Sequence, residues 1–180
     1  MGQVHVHEFI SLDGVFEDPS WTFEHGFDPA MGETLGAMMA NVRGILLGRT
    51  TFEAFAPAWR DRTAEDDPGA PFFNETTKYV VGAQEPAQEW APTERLGAYD
   101  AGTIRQLKAD LDGDLYVSGS GRLVRGLLAD GLVDQLHLFV YPVTLGTGER
   151  LFREGESHRL TLAAHDVYDN GVVHLAYAQA

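Results

Sequence analysis

The sequence predicts an α/β fold with a mainly parallel, twisted β-sheet and an antiparallel edge at its C-terminal end. Short apolar segments typical of buried strands alternate with segments of helical periodicity up to residue 128. After residue 134 strand signals follow one another without a helix, and Asp169-Asn170-Gly171 is a strong hairpin-turn signal. Helical crossovers join parallel strands and tight turns join antiparallel ones, so we expect both kinds of pairing in one sheet.

Length and composition indicate one globular domain, residues 1–180. Acidic residues outnumber basic ones 27 to 13, and a net charge of −14 repels phosphate backbones, so nucleic acid is not an expected partner. The absence of cysteine excludes disulfides and thiolate chemistry. No apolar run approaches the ~20 residues that cross a bilayer, and no signal-peptide pattern opens the sequence. We therefore expect a cytoplasmic protein without membrane contact.

The first part of the chain contains one strand, a long loop and one helix. Residues 4–11 have the apolar content of a strand, and residues 12–14 are a turn signal. Residues 15–28 are rich in aromatic side chains but have no clear period, which predicts a functional loop or a short element hidden within it. Apolar residues at helical spacing then predict a helix over residues 31–42.

The next segment predicts a buried strand followed directly by a helix. Residues 44–48 are continuously apolar or glycine, as in a strand covered on both faces. Thr50 and Glu53 have the spacing of a capping box, and the helix is expected to end near Pro57. Residues 61–71 are acidic and rich in helix breakers, which predicts an exposed loop.

The second half of the chain first continues this alternation and then ends in three successive strands. The last two of these strands form a hairpin at the edge of the sheet. In order, the predicted elements are strand 78–82, loop 86–92, helix 104–111, strand 115–117, helix 123–128, strand 135–141 and the hairpin of 160–167 with 172–178.

Two strand–glycine–helix junctions are the candidate functional sites. Gly48-Arg49-Thr50 follows one predicted strand, and Gly119-Ser120-Gly121-Arg122 follows another. Glycine lets the backbone approach a ligand, and the free N–H groups at a helix start favour a phosphate. Each junction alone also fits a plain tight turn, and Arg49 alone also fits an exposed surface residue. Two such junctions at the carboxyl ends of parallel strands favour a dinucleotide.

His5 and His7 form a second pattern, two residues apart on one face of the first strand. This spacing can chelate a metal ion. No cluster of acidic residues near them completes a site, so a hydrogen-bonded or solvent-facing pair is the preferred interpretation, and we expect no metal.

Four motif-bearing segments occur in a fixed order along the chain. They are Ser11-Leu12-Asp13-Gly14, Leu47-Gly48-Arg49-Thr50-Thr51-Phe52, Ser118-Gly119-Ser120-Gly121-Arg122-Leu123 and Pro142-Val143-Thr144-Leu145-Gly146-Thr147-Gly148. Together they resemble the dihydrofolate reductase superfamily. The similarity spans nearly the whole chain and is closest to the reductase (C-terminal) domain of the bacterial riboflavin-biosynthesis deaminase-reductase. It implies a three-layer dihydrofolate reductase-like fold and a homodimer.

The resemblance implies an NADPH-dependent reductase that transfers a hydride to a small pterin-like or pyrimidine-like ring. Where relatives often have serines that contact the 2′-phosphate, this chain has residues 82–83, a glycine and an alanine, so the preference for NADPH depends largely on Arg49. The resemblance also implies a cis peptide bond after Gly119. The implied cofactor-binding residues are Gly48, Arg49 and Thr50 for the adenosine phosphate, and Gly119, Ser120, Gly121, Arg122 and Leu123 for the pyrophosphate and ribose.

The implied substrate side lies next to the turn at residues 12–14. Aromatic walls suit a flat ring, although the same side chains also fit a core beneath a long loop. The candidate substrate-binding residues are Leu12, Gly14, Trp21 and Phe23. Asp13 and Glu33 are the candidate proton donors, with bound water as the alternative; Glu33 also fits an exposed helix residue.

A homodimer has a modest independent argument, because the predicted strand 135–141 carries apolar side chains on both of its alternations. Either a helix of the same chain or a second subunit can cover the second face. Two other functions remain open: a dimeric nucleotide-binding module without turnover, and an unrelated phosphate-binding enzyme such as a transferase.

Overall fold

The computed structural model describes residues 2–179 and contains an eight-stranded β-sheet. The strands are β1 (Val4–Ser11), β2 (Val42–Gly48), β3 (Thr77–Val81), β4 (Thr93–Gly97), β5 (Asp114–Ser118), β6 (Gln135–Tyr141), β7 (Leu160–Val167) and β8 (Val173–Gln179). Their order across the sheet is β4-β3-β2-β5-β1-β6-β8-β7. Every pairing among β1 to β6 is parallel, and β8 pairs antiparallel with β6 and β7.

Helices cover both faces of the sheet, which confirms the predicted three-layer arrangement with a C-terminal antiparallel hairpin. The helices are α1 (Pro29–Met39), α2 (Arg49–Trp59), α3 (Ala70–Glu75), α4 (Ala101–Asp110) and α5 (Gly121–Ala129), together with a 3-10 segment at Pro19–His25. Buried side chains of α1, α2 and α3 belong to one core cluster, and those of α4 and α5 to the other. Within the described residues, no helix has the length and apolar content needed to span a membrane.

Strand β1 shows how the two cores are separated. Successive side chains of a strand point to opposite faces. Val4 and Val6 therefore pack under α4 and α5, while His7 and Phe9 contact aromatic side chains on the opposite face. Burying a large aliphatic side chain contributes roughly 1.5–3 kcal/mol, so this alternation fixes the register of the central strand.

The central strands β2 and β5 end side by side, and their helices leave in opposite directions. Phe52 anchors α2 in one core, whereas Leu123 and Leu127 anchor α5 in the other. In an open α/β sheet, this divergence opens a crevice at the carboxyl ends of the two strands, where ligands bind. The fold therefore places both predicted glycine junctions at one crevice.

Two elements were not predicted, because their sequences carry weak signals. α3 (Ala70–Glu75) begins inside the predicted loop 61–71 and has fewer than two turns, too few for a clear helical period. β4 is an edge strand of mostly exposed polar residues, so it lacks the apolar content on which strand prediction depends.

One local prediction for α2 was wrong. The helix begins at Arg49 rather than after a threonine cap, so Thr50 is already a helical residue and the capping box does not form. The helix ends near Pro57 as predicted, at Trp59, with the proline inside its last turn. Because Pro57 stands in the last turn, the helix loses one hydrogen bond near its end without breaking.

Strand β6 does not require a second subunit to cover it. It lies between β1 and β8 rather than at an edge. Leu136 on one face and Phe139 on the other are both fully buried by elements of the same chain. Sequence analysis left two covers open for this strand, and the same chain supplies the cover at these two residues. The homodimer stays a prediction of the resemblance.

Lys78 is a fully buried ammonium group that ties α3 to the sheet. Its Nζ donates hydrogen bonds to the carbonyl oxygens of Phe73, Asn74 and Ala91, at 2.9, 3.2 and 3.2 Å. The same atom lies 4.5 Å from the centre of the Trp90 ring. Burial lowers the pKa of Lys78 to about 8, which leaves the side chain mostly protonated at neutral pH.

We predict that Lys78→Met lowers the free energy of unfolding by about 1–3 kcal/mol, because three buried carbonyl groups lose their donor. Urea unfolding at pH 7 measures this change. Arg159→Met, which removes a cation from an exposed position, should change stability by less than about 0.5 kcal/mol. Equal unfolding midpoints for the two variants would show that the Lys78 bonds contribute nothing.

Candidate functional site

A groove with a volume of about 1000 Å³ occupies the crevice between the ends of β2 and β5. This volume suits a ligand of dinucleotide size. The lining includes most of the residues predicted to bind a cofactor, namely Gly48, Arg49, Thr50, Ser120, Gly121, Arg122 and Leu123. The remaining predicted residue, Gly119, directly precedes them in the same turn.

The two glycine junctions touch each other. A Cβ atom on Gly48 would lie 1.9 Å from Ser120 Oγ and 3.1 Å from Ser120 Cβ, so a side chain at residue 48 would have to displace the serine hydroxyl. Gly119 has φ +60°, a conformation that also favours glycine, and the peptide bond between Gly119 and Ser120 is cis, as the resemblance implied. A Cβ on Gly121 would lie 2.2 Å from Phe16 Cζ, so a side chain at residue 121 would have to displace the Phe16 ring.

Both helices that begin at the groove have N-termini without a side-chain cap. The N-cap residue of α2 is Gly48, which has no side chain to cap the helix. The N-cap residue of α5 is Ser120, whose hydroxyl accepts no hydrogen bond from the helix. The first backbone N–H groups of a helix lack partners inside it and carry the positive end of its dipole. Two such ends in one groove favour a ligand with more than one anionic group.

The charge of the groove is opposite to that of the protein. Its lining contains four arginines, Arg49, Arg122, Arg125 and Arg153, and one carboxylate, Glu149. The whole chain has a net charge of −14, so these cations are concentrated where an anion would bind. Glu149 holds two of the arginines, since it lies 2.5 Å from Arg125 Nη2 and 2.9 Å from Arg153 Nη2.

Arg49 extends along the groove wall rather than into solvent. Its Nη1 donates to both carboxylate oxygens of Glu53, at 2.8 and 3.0 Å. Glu53 also accepts the Ala87 N–H at 3.0 Å, which explains why it is not a capping residue. A Cβ on Gly82 would lie 2.8 Å from Arg49 Cβ, so the glycine that replaces the expected serine makes room for the arginine.

Five polar or charged residues of the groove lining were missed by the sequence analysis. Arg125 stands one helical turn after Gly121 and is therefore on the same side of α5, a spacing from which it was identifiable. The other four residues come from three loops and follow no local sequence pattern. The missed residues are Gln84, Tyr99, Arg125, Glu149 and Arg153.

Asp13 has a positioning role that conflicts with its predicted role as a proton donor. Its carboxylate accepts the Ser11 hydroxyl at 2.6 Å and the N–H groups of Leu145 and Gly146 at 3.1 and 2.8 Å. These three bonds lower the pKa of Asp13 to about 2, with the Ser11 hydroxyl as the largest cause. An ionised carboxylate has no proton to give near neutral pH. Its hydrogen bonds instead hold the turn after β1 against the loop that contains Leu145 and Gly146.

The predicted substrate residues lie outside the groove lining. Trp21 packs edge-on against Tyr141, the last residue of β6, with ring centres 5.4 Å apart. The side chain of Phe23 is 84% exposed and that of Leu12 is 65% exposed. Glu33 is exposed on α1. Trp21 and the turn after β1 share the carboxyl edge of the sheet with the groove, because Ser11 and Tyr141 are register partners.

His5 and His7 are buried rather than solvent-facing. His7 Nδ1 lies 2.8 Å from the Tyr116 hydroxyl, and burial lowers the pKa of His7 to about 3, which keeps the ring neutral. His5 Nε2 lies 3.6 Å from Asp114 Oδ2. Across residues 2–179, no group of three or more His, Cys, Asp or Glu side chains is arranged to hold a metal ion.

The fold and the groove together define an α/β protein with an arginine-rich groove at a topological switch point of its sheet. The chain belongs to the RibD C-terminal domain family, whose model matches residues 3–95 and 100–174. This finding agrees with the predicted place in the dihydrofolate reductase superfamily.

Two relatives come from Bacillus subtilis (strain 168). The chain is 25% identical to uncharacterized protein YyaP over 178 residues, which cover 93% of this chain and 90% of YyaP. It is 26% identical to uncharacterized protein YwjB over 147 residues, which cover 81% of this chain and 79% of YwjB.

Three solved structures share the fold across 99% of this chain. A putative riboflavin biosynthesis protein from Shewanella sp. PV-4 has a TM-score of 0.76 at 20% identity, with 99% of that chain covered. A pyrimidine reductase-like protein from Corynebacterium diphtheriae has a TM-score of 0.66 at 15% identity, with 92% covered. Dihydrofolate reductase from Enterococcus faecalis, complexed with NADP(H), has a TM-score of 0.63 at 16% identity, with 96% covered.

We predict that Asp13→Ala frees the loop that contains Leu145 and Gly146, because both amides lose their acceptor. Hydrogen–deuterium exchange should show both amides exchanging several-fold faster than in the parent protein. The protection should also weaken as the pH falls toward about 2, where the folded carboxyl group takes up a proton. Glu33→Ala removes an exposed carboxylate and should leave both rates unchanged; unchanged rates in Asp13→Ala would exclude the positioning role.

Proposed function

We propose that the protein is an NADPH-dependent reductase of a small pterin-like or pyrimidine-like heterocycle. The observation that carries this proposal is the cationic groove with two uncapped helix starts at the ends of β2 and β5. An extended ligand with several phosphate groups matches both its volume and its charge. Membership of the RibD C-terminal domain family supports a reductase, and one neighbour of the same fold is complexed with NADP(H).

The residues present fit this cofactor. Arg49 lies against Gly82, where a planar guanidinium can bind the 2′-phosphate of the adenosine. The N–H groups at the start of α5, after Ser120, face the pyrophosphate, and Arg122 and Arg125 add positive charge beside them. When bound, NADPH supplies the hydride, while the protein holds the reacting rings in place and excludes water.

The substrate side of the proposed site extends along the carboxyl edge of the sheet. Leu12 and Gly14 form the turn after β1, which Asp13 fixes, and Trp21 with Phe23 supplies aromatic surface for a flat ring. Of the two candidate acids, Asp13 is ionised and Glu33 is exposed, so we propose that water delivers the proton to the reduced ring.

A dimeric nucleotide-binding module without turnover is the second candidate function. The exposed substrate side favours it, because Phe23 and Leu12 form no closed pocket in the described residues. A screen of heterocyclic substrates at fixed NADPH, followed by absorbance of the nicotinamide, separates the two. Oxidation with any substrate supports the reductase; NADPH binding without oxidation across the screen supports the module.

We predict that Arg49→Ala weakens NADPH binding about ten- to hundredfold and NADH binding much less. Only NADPH carries the 2′-phosphate, and a charged hydrogen bond contributes roughly 1.5–3 kcal/mol. Isothermal titration with each cofactor gives the two dissociation constants. Glu53→Gln removes the charge paired with Arg49 but keeps an acceptor for the Ala87 N–H, so it should not weaken NADPH binding. Equal losses for the two cofactors in Arg49→Ala would contradict this assignment.

We predict that Trp21→Ala raises the KM for substrate or lowers kcat while NADPH affinity stays within about twofold. The indole packs on Tyr141 and lies outside the groove lining, so its removal takes surface from the substrate side alone. The measurements are the KM and kcat for the substrate, the dissociation constant for NADPH, and the Tm of the variant. If the variant is unfolded at the assay temperature, Trp21 belongs to the core. If NADPH affinity falls as much as substrate affinity, Trp21 belongs to the cofactor wall.

A further inference from the structure

Glu8 is a buried carboxyl group directly beneath the glycine turn of the groove. It lies on β1, and its side chain is only 6% exposed. Glu8 Oε1 accepts the backbone N–H of Gly119 at 3.1 Å. Gly119 immediately precedes Ser120, the N-cap of α5, so one hydrogen bond links the central strand to the start of the phosphate-facing helix.

The surroundings of Glu8 favour its protonated form. Burial raises the pKa of Glu8 to about 8, and two smaller influences oppose it: the Gly119 N–H and the positive charge of Arg125 on α5. Tyr116 on the adjacent strand β5 is the other titratable group that its charge reaches, and burial keeps that phenol neutral. Near pH 7 most molecules therefore carry a proton on Glu8.

Arg125 does not act as a dedicated counter-ion for Glu8. Its Nη2 lies 2.5 Å from Glu149, and its Nη1 donates to the Arg150 carbonyl oxygen at 3.2 Å. An anionic ligand in the groove would lie against Arg125 and Ser120, and Glu8 is one hydrogen bond from Gly119, the residue before Ser120. An ionised Glu8 would then face that charge across the Gly119–Ser120 turn, in surroundings that screen it poorly.

We infer that Glu8 is a positioning residue of the phosphate-binding turn that holds a proton while the cofactor occupies the groove, so that cofactor binding takes up a proton. This inference rests on the proposed function, since it requires an anionic cofactor at the turn. The protonated carboxyl group still accepts the Gly119 N–H through its carbonyl oxygen, so it keeps the turn in place without opposing the ligand's charge.

Linkage fixes the sign of the pH dependence. If the ligand favours the protonated form, the pKa of Glu8 is higher in the complex than in the free protein. Affinity is then fully expressed below pH 8 and falls as the pH rises above it, by at most about tenfold per unit for one proton. A carboxyl group with an ordinary pKa would give no change in this range.

The test is isothermal titration of NADPH at pH 8 in two buffers of different ionisation enthalpy. The difference in binding heat gives the number of protons taken up, which should reach up to about half a proton per NADPH because Glu8 is about half ionised at this pH. Glu8→Gln retains an acceptor for the Gly119 N–H but cannot titrate. It should bind NADPH with this uptake abolished and with an affinity that no longer falls between pH 8 and pH 9.

Glu65→Gln is the matched control, because it makes the same substitution at an exposed residue that does not line the groove. It should keep the proton uptake of the parent protein. Carbon-13 NMR of glutamate-labelled parent protein is a second measurement that needs no variant. One carboxyl group should titrate near pH 8 and shift to higher pH when NADPH is added.

Equal proton uptake by the parent protein and Glu8→Gln overturns this inference and leaves the proposed function intact. The same holds if no glutamate carboxyl of the parent titrates above pH 6. An absence of NADPH binding by the parent protein at every pH overturns both the proposed function and this inference.

Discussion

The site depends on the contact between Gly48 and Ser120 at the ends of two adjacent parallel strands. The contact exists because β2 and β5 are neighbours with matched ends, and it requires that residue 48 has no side chain. The helices that follow must then leave on opposite faces of the sheet, which opens the crevice between them. The two uncapped helix starts face one ligand volume for the same reason.

Charge distribution adds chemical selectivity to this geometry. The protein as a whole is strongly acidic, yet four arginines line the groove and only one carboxylate does. Glu149 and Glu53 hold three of these arginines in defined positions by direct ion pairs. A preordered guanidinium loses less conformational freedom when a phosphate binds, so the acidic partners favour selective binding over loose attraction.

Three buried ionisable side chains, Lys78, His7 and Glu8, are either mostly neutral or surrounded by hydrogen-bond acceptors. Lys78 stays mostly charged because three carbonyl oxygens surround its ammonium group. His7 is neutral and faces the Tyr116 hydroxyl, while Glu8 is mostly protonated below the glycine turn. Isolated charges in the interior are costly, and each of these groups avoids that cost in its own way. Glu8 alone stands where ligand charge can change its protonation.

The sequence by itself determined the alternation of strands and helices, the mixed sheet and both glycine junctions. These features depend on local apolar period and on glycine, which act over a few residues. It did not reveal β4 or the full position of α3, since an exposed edge strand and a very short helix lack such a period. It also placed Asp13 among the proton donors. The Ser11 hydroxyl, the largest cause of the low pKa of Asp13, is a near neighbour in sequence, but the two amides that add to it come from a loop 132 or more residues away.

Only the tertiary structure decided which side chains share the groove. Arg125 lies on α5, whereas Glu149 and Arg153 lie in a loop after β6, and no local sequence pattern links the two. Glu8 accepts the Gly119 N–H although the two residues are 111 positions apart. The same is true of β6, which is an inner strand because β8 returns beside it, and whose Leu136 and Phe139 are buried in the two core clusters on opposite faces of the sheet. Local pattern fixes which elements form, whereas long-range packing fixes burial, and burial determines the charge and the partners of the side chains that bind a ligand.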